Sequence, residues 1–308
     1  MSLIERAAKR LEELRRAGVE VPVAGVAVTP RTSLSAESGQ EARANFTNIA
    51  SEDRVVPSIA TRHKNPHFEL DFAKLASRGF VTPDLPRTRI ADEFRVLKRP
   101  LIANTSSRKA VAIKHANLIM VTSSVPGEGK TFSAVNLAMS LAMELDKTVL
   151  LVDADVARPS LPELLGLGTR KGLLDALEHR SVDISQFLLH TNVEKLSILP
   201  SGTPSPHATE LLASGAMTRL LDDMAARYAD RIIVFDSPPL LVTTEARVLA
   251  TQMGQIVFVV HAESTLQSDV KRALAMIENC QIKMMVLNQA RSIGQGAHGY
   301  GYGYGYGS

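Results

Sequence analysis

Apolar residues recur along this chain in two periods, and the change from one to the other marks out its elements. Residues 118–121, 148–152, 231–235, 255–260 and 283–287 are short, nearly continuous apolar runs. Such runs suit strands buried on both faces of a parallel sheet. Between them apolar positions return every three to four residues, predicting helices over 132–142, 208–228 and 266–279, with shorter ones over 161–167 and 172–178. Residues 195–199 add a strand closed by Pro200-Ser201-Gly202. Strands alternating with helices at this spacing predict an α/β fold, a mostly parallel sheet with helices on both faces.

Before residue 90 the pattern weakens. Residues 2–17 predict a helix that Ser2 caps, with Glu5 three positions on and Leu3, Ile4, Ala7, Leu11 and Leu14 along one face. That face suits either a narrow packing stripe or a docking partner. Over 18–89, Pro22, Pro30, Pro57, Pro66, Pro83 and Pro86 punctuate a stretch rich in Ser, Thr, Ala, Arg and Asn. It reads as a largely flexible N-terminal extension, with room for a short helix around Phe72. Order is expected to resume at 90, where Ile90, Phe94 and Leu97 make a helical stripe. Asp92, Arg95 and Lys98 repeat every three residues beside it, as a solvated face or as a patch for a neighbouring subunit. The predicted organisation is a helix over 1–17, a linker over 18–89, a domain over 90–290 and a tail over 291–308.

The tail holds Tyr300, Tyr302, Tyr304 and Tyr306, four of the five tyrosines, with glycine at every second position. Such a segment is costly to order and has little to pack. It is either a low-complexity end or a row of accessible phenols able to enter an active site.

Composition narrows the setting. Hydrophobic residues make up 45% of 308, enough for a sizeable core, and a net charge of +3 is too mild to argue for nucleic acid. The single cysteine, Cys280, excludes an internal disulfide and fits a buried thiol in a reducing compartment. No run approaches the ~20 apolar residues that span a bilayer, and the N-terminus lacks the apolar stretch of a secretion signal. A cytoplasmic protein is expected, reaching a membrane only through a partner.

The chemistry gathers where strands give way to loops. Ser124-Val125-Pro126-Gly127-Glu128-Gly129-Lys130-Thr131 lies between a strand and a helix, as a phosphate-cradling P-loop does, with Ser124 in place of the first glycine of the strict pattern. Gly127 and Gly129 let backbone N–H groups close around phosphate oxygens at a helix N-terminus. Lys130 can reach the β- and γ-phosphates and the Thr131 hydroxyl can ligate Mg²⁺. Asp153 and Asp155 end the 148–152 run on one side of an extended segment, where an α/β sheet places its ligands. Asp236 closes the 231–235 run in the Walker B manner. The bland alternative for Asp153 and Asp155 is capping of the next helix.

Together these residues resemble the bacterial tyrosine kinases of exopolysaccharide synthesis, over residues 90–308. The loop ending in Lys130-Thr131 resembles that family's Walker A, and residues 149–155 followed by Arg158-Pro159 its second aspartate motif. Residues 232–239 resemble its Walker B and the tyrosine-rich end its autophosphorylation cluster. The resemblance implies a P-loop NTPase fold and ATP with Mg²⁺ as cofactors. Pro126, Gly127, Glu128, Gly129, Lys130, Thr131 and Phe132 would hold the nucleotide, and Asn288 either touches adenine or caps its strand. Thr131, Asp155 and Asp236 would hold Mg²⁺. Lys130, Asp153 and Asp155 would be catalytic, with either aspartate able to act on the tyrosine hydroxyl. Tyr300, Tyr302, Tyr304 and Tyr306 would accept the phosphoryl group. The resemblance further implies a homo-oligomeric ring through Asp92, Arg95 and Lys98, although the family's motif has Glu and Arg where Asp92 and Lys98 stand. It implies a membrane polysaccharide co-polymerase that recruits the kinase to the inner membrane, and a tyrosine phosphatase. Two rivals share the motifs. Partitioning and cell-division ATPases carry a signature lysine where Val125 stands, and an ATP-sensing chain-length regulator would transfer nothing.

Overall fold

The computed structural model describes residues 67–106, 113–179, 183–227 and 231–290. The 1–17 helix, most of the linker and the Gly/Tyr tail lie outside these. In chain order the strands are β1 (His67–Phe68), β2 (Leu118–Ser123), β3 (Thr148–Asp153), β4 (Leu189–Thr191), β5 (Leu196–Leu199), β6 (Arg231–Asp236), β7 (Gln255–His261) and β8 (Ile282–Asn288). The helices are α1 (Phe72–Ser77), α2 (Arg89–Ser106), α3 (Lys130–Ala142), α4 (Leu161–Leu165), α5 (Leu173–Glu178), α6 (Ala208–Leu212), α7 (Gly215–Arg227), α8 (Thr244–Ala250) and α9 (Gln267–Ala275).

The strands form one sheet in the order β1-β4-β5-β3-β6-β2-β7-β8. Every neighbouring pair is parallel except the β4/β5 hairpin. β2 is buried at all six positions, as a strand covered on both faces must be. One hydrophobic layer packs α1 to α4 against the sheet, and a second packs α5 to α9 against the opposite face. Within α3 every residue from Ser133 to Ala142 is buried. Its serines and alanines let it lie close between the sheet and α2. The expected mostly parallel α/β sheet, flanked on both faces, is the fold observed.

Three expectations change. Residues 67–89 belong to the folded domain rather than to a flexible extension, because Leu70, Leu75, Phe80 and Val81 are buried in the same layer as α3. The Asn136 side chain fastens this segment, its Oδ1 accepting from the Val81 N–H at 2.6 Å and its Nδ2 donating to the Phe132 carbonyl at 3.0 Å. Lys98 does not share a solvated row with Asp92 and Arg95. It is 4% exposed, donates to the Ser140 carbonyl and pairs with Glu144 at 2.8 Å. Asp92 and Arg95 pair with one another on the surface. The long helix expected over 208–228 is two, because the Ser214 hydroxyl accepts from the N–H groups of Ala216 and Met217 and starts the second afresh.

Cys280 is buried, as expected, and lies beyond the end of α9. Among the described residues no helix is long and apolar enough to cross a membrane.

Candidate active site

β3, β6 and β2 are adjacent in the centre of the sheet, so their carboxyl ends open on one place. The loop after β2 carries the glycines. Gly127 and Gly129 have φ of 87° and 91°, a left-handed backbone that favours glycine. At Gly129 a Cβ would also lie 2.0 Å from Asn288 Nδ2. Asn288 reaches across from the end of β8 and donates to the Glu128 carbonyl at 3.0 Å. In the ligand-free structure the Asn288 amide thus braces the loop.

Glu128 braces the same loop from inside. Its side chain is 2% exposed; Oε2 accepts from the Val125 N–H at 2.8 Å and Oε1 accepts from the Thr265 hydroxyl. Thr265 in turn accepts from the His261 N–H at 3.1 Å, which ties the loop to the end of β7. Phe132 turns its ring to Phe80, 4.9 Å between centroids, and is half-buried beside Thr131.

Lys130 Nζ lies 2.5 Å from Asp155 Oδ2, and the Thr131 hydroxyl shares a 2.8 Å hydrogen bond with Ser160. Asp153 and Asp236 are direct partners across β3 and β6, and the Ala154 N–H donates to the Asp236 carbonyl at 2.8 Å. Both side chains are fully buried, yet none of their four carboxyl oxygens has a hydrogen-bond partner. Burial, then the charges of Asp236 and Asp155, push the Asp153 carboxyl well above the usual range. Burial also raises Asp236 to about 6, against the lowering effect of Lys130 and Thr131. Buried carboxylates without partners need a proton or a cation. Among the described residues no three or more His, Cys, Asp or Glu side chains cluster to cage a metal unaided. The Asp236 carboxyl and the Thr131 hydroxyl are hard oxygen donors of the kind that suits Mg²⁺, which takes few protein oxygens and shares the rest with phosphates and water.

A pocket of about 370 Å³ opens over this floor, lined in part by Pro126, Gly127, Lys130, Asp155, Arg158 and Pro239. The structure thus brings together Lys130, Thr131, Asp153, Asp155 and Asp236. Ser160, Thr265 and the inward role of the Glu128 side chain were not foreseen; each depends on a contact between segments far apart in sequence.

A family model described as ParA: NUBPL iron-transfer P-loop NTPase matches residues 114–294, and the fold and loop define the same class. Over 208 residues the chain is 28% identical to the tyrosine-protein kinase YwqD of Bacillus subtilis, covering 68% of this chain and 84% of that one. It is 26% identical to the putative tyrosine-protein kinase CapB of Staphylococcus aureus, covering 67% and 87%. The solved kinase domain of Escherichia coli tyrosine kinase ETK superposes with a TM-score of 0.59 at 25% identity, covering 78% of this chain and 94% of that one. Within the P-loop NTPases, the chain belongs to the bacterial tyrosine kinases. It is a nucleotide-binding protein-tyrosine kinase.

Proposed function

We propose that the chain is an autokinase that moves the γ-phosphoryl group of ATP to Tyr300, Tyr302, Tyr304 and Tyr306, and so regulates exopolysaccharide polymerisation and export. The observation that carries this reading is the unpartnered pair Asp153 and Asp236 on the floor beside the P-loop. Loop N–H groups from Gly127 to Thr131 and the start of α3 take the phosphates. Lys130 leaves Asp155 and turns to the β- and γ-phosphates. Thr131, Asp155 and Asp236 would hold Mg²⁺, which when bound supplies neutralisation of charge on the transferring group. The phenol oxygen forms a bond to the γ-phosphorus as the bond to the bridging oxygen breaks, ADP leaves, and the phenol proton passes to Asp153. A raised carboxyl pKa suits that acceptor. Asp153 takes this role rather than Asp155 because Asp155, once released by Lys130, would be spent on Mg²⁺.

A neighbouring subunit of a ring presents the tail. The ring contact draws on Asp92 and Arg95, while Lys98 is spent inside its own subunit. A membrane polysaccharide co-polymerase recruits the kinase to the inner membrane, and a tyrosine phosphatase resets the tail. Purified protein given Mg²⁺ and γ-labelled ATP should gain phosphotyrosine. Release of free phosphate without phosphotyrosine would instead indicate a partitioning-type ATPase, and neither product would indicate an ATP-sensing regulator.

A further inference from the structure

Beside the reaction pocket lies a second one of about 480 Å³. The two meet along residues 158–160, where Arg158 and Ser160 line the first and Pro159 between them lines the second. Four of the eleven residues that line the second pocket are prolines, Pro159, Pro162, Pro200 and Pro204. Glu163 and Arg170 stand in its lining. Proline rings offer flat apolar faces to an aromatic ring, and a phenol hydroxyl can donate to a carboxylate and accept from a guanidinium. Arg170 is held in place by its bond to the Leu167 carbonyl at 2.9 Å and by the Phe68 ring 5.7 Å away.

We propose that this pocket is a second tyrosine subsite, which holds a tail tyrosine next to the one being phosphorylated. This rests on the reading of the tail as acceptor. The occupant is the Gly-Tyr segment 299–306 of a second copy of the chain. Three observations point to it. In an extended strand residues i and i+2 fall on one face, about 6.6 Å apart. The alternation of Gly with Tyr therefore puts all four rings on one face of an extended tail, with nothing bulky between them. The described chain ends just after β8, at the carboxyl end of the sheet, where both pockets open. The residues from 291 to 299 add roughly 30 Å of extended reach. The repeat then has a purpose. Each tyrosine that reacts is anchored by its neighbour, and the tail advances one step at a time.

The test uses the full chain with altered tails. One tail keeps Tyr302 and Tyr304 with alanine at 300 and 306; others keep Tyr302 or Tyr304 alone. The paired tail should label about three- to tenfold faster per tyrosine than either single tail, the range that one aromatic contact supplies. Thr169→Trp, which fills the second pocket, should abolish that advantage and leave single-tyrosine labelling and ATP binding unchanged. Pro204→Ala should reduce the advantage if the tryptophan variant does not fold. Equal labelling of paired and single tails, or an advantage that survives both variants, would overturn the subsite while leaving the tail as acceptor. A wild-type tail that takes no phosphate would overturn both readings.

Discussion

Asp236 in the folded protein titrates near 6 instead of its ordinary 3.8, chiefly through burial, and Asp153 moves the same way. A carboxyl raised on folding binds protons more tightly in the native state than in the unfolded chain. Its contribution is therefore fully present below about pH 4 and lost as pH rises through 6. For Asp236 this amounts to about 3 kcal/mol. About half of that is released between pH 5 and pH 8, so the ligand-free protein should unfold roughly 3–6 °C lower at pH 8 than at pH 5. Asp236→Asn should flatten that dependence. Thermal unfolding at the two pH values checks this, and a wild-type midpoint that ignores pH would contradict the burial argument. Lys130 has a different signature. Lys130→Met removes a charge that faces phosphate, so labelling should fall by ~10²–10³ while the circular dichroism spectrum remains that of a folded protein. Near-normal labelling would remove Lys130 from the site.

Among the elements, the P-loop, the Asp153-Ala154-Asp155 turn and the Asp236 strand end were all legible in the sequence. Each is written locally, as a continuous apolar run followed at once by its polar residues. Within residues 67–88 only the short helix around Phe72 was, because Leu70, Leu75, Phe80 and Val81 follow no period and are recognisable only once Asn136 and Phe132 face them. β4 escaped for the same reason: three residues, Leu189–Thr191, carry too little pattern. Lys98 was misplaced because three-residue spacing cannot show that Glu144 lies over one member of the row. The 67–88 segment is fastened to the P-loop helix at a single buried polar point. Asn136→Ala should leave the Val81 N–H unsatisfied and cost about 1–3 kcal/mol in urea unfolding. No change in the urea midpoint would show that the segment contributes little to the domain.

For the whole molecule, phosphorylation should alter assembly. Each phosphotyrosine adds about −1.5 to −2 charges at neutral pH. Four in seven residues would repel one another and the site carboxylates Asp153, Asp155 and Asp236. The modified tail should leave its neighbour and loosen the ring. Light scattering before and after Mg²⁺ and ATP should show wild type shrinking toward monomer, and a variant with all four tail tyrosines changed to Phe keeping its size. Unchanged wild-type size after full labelling would sink the switch but not the kinase. The kinase claim itself is tested most directly by mapping phosphopeptides after incubating the full chain with Mg²⁺ and ATP. Phosphate should sit on Tyr300, Tyr302, Tyr304 and Tyr306, and be absent from those sites in Lys130→Met. Phosphate confined to residues outside the tail, or ATP turned over with no phosphotyrosine anywhere, would contradict it.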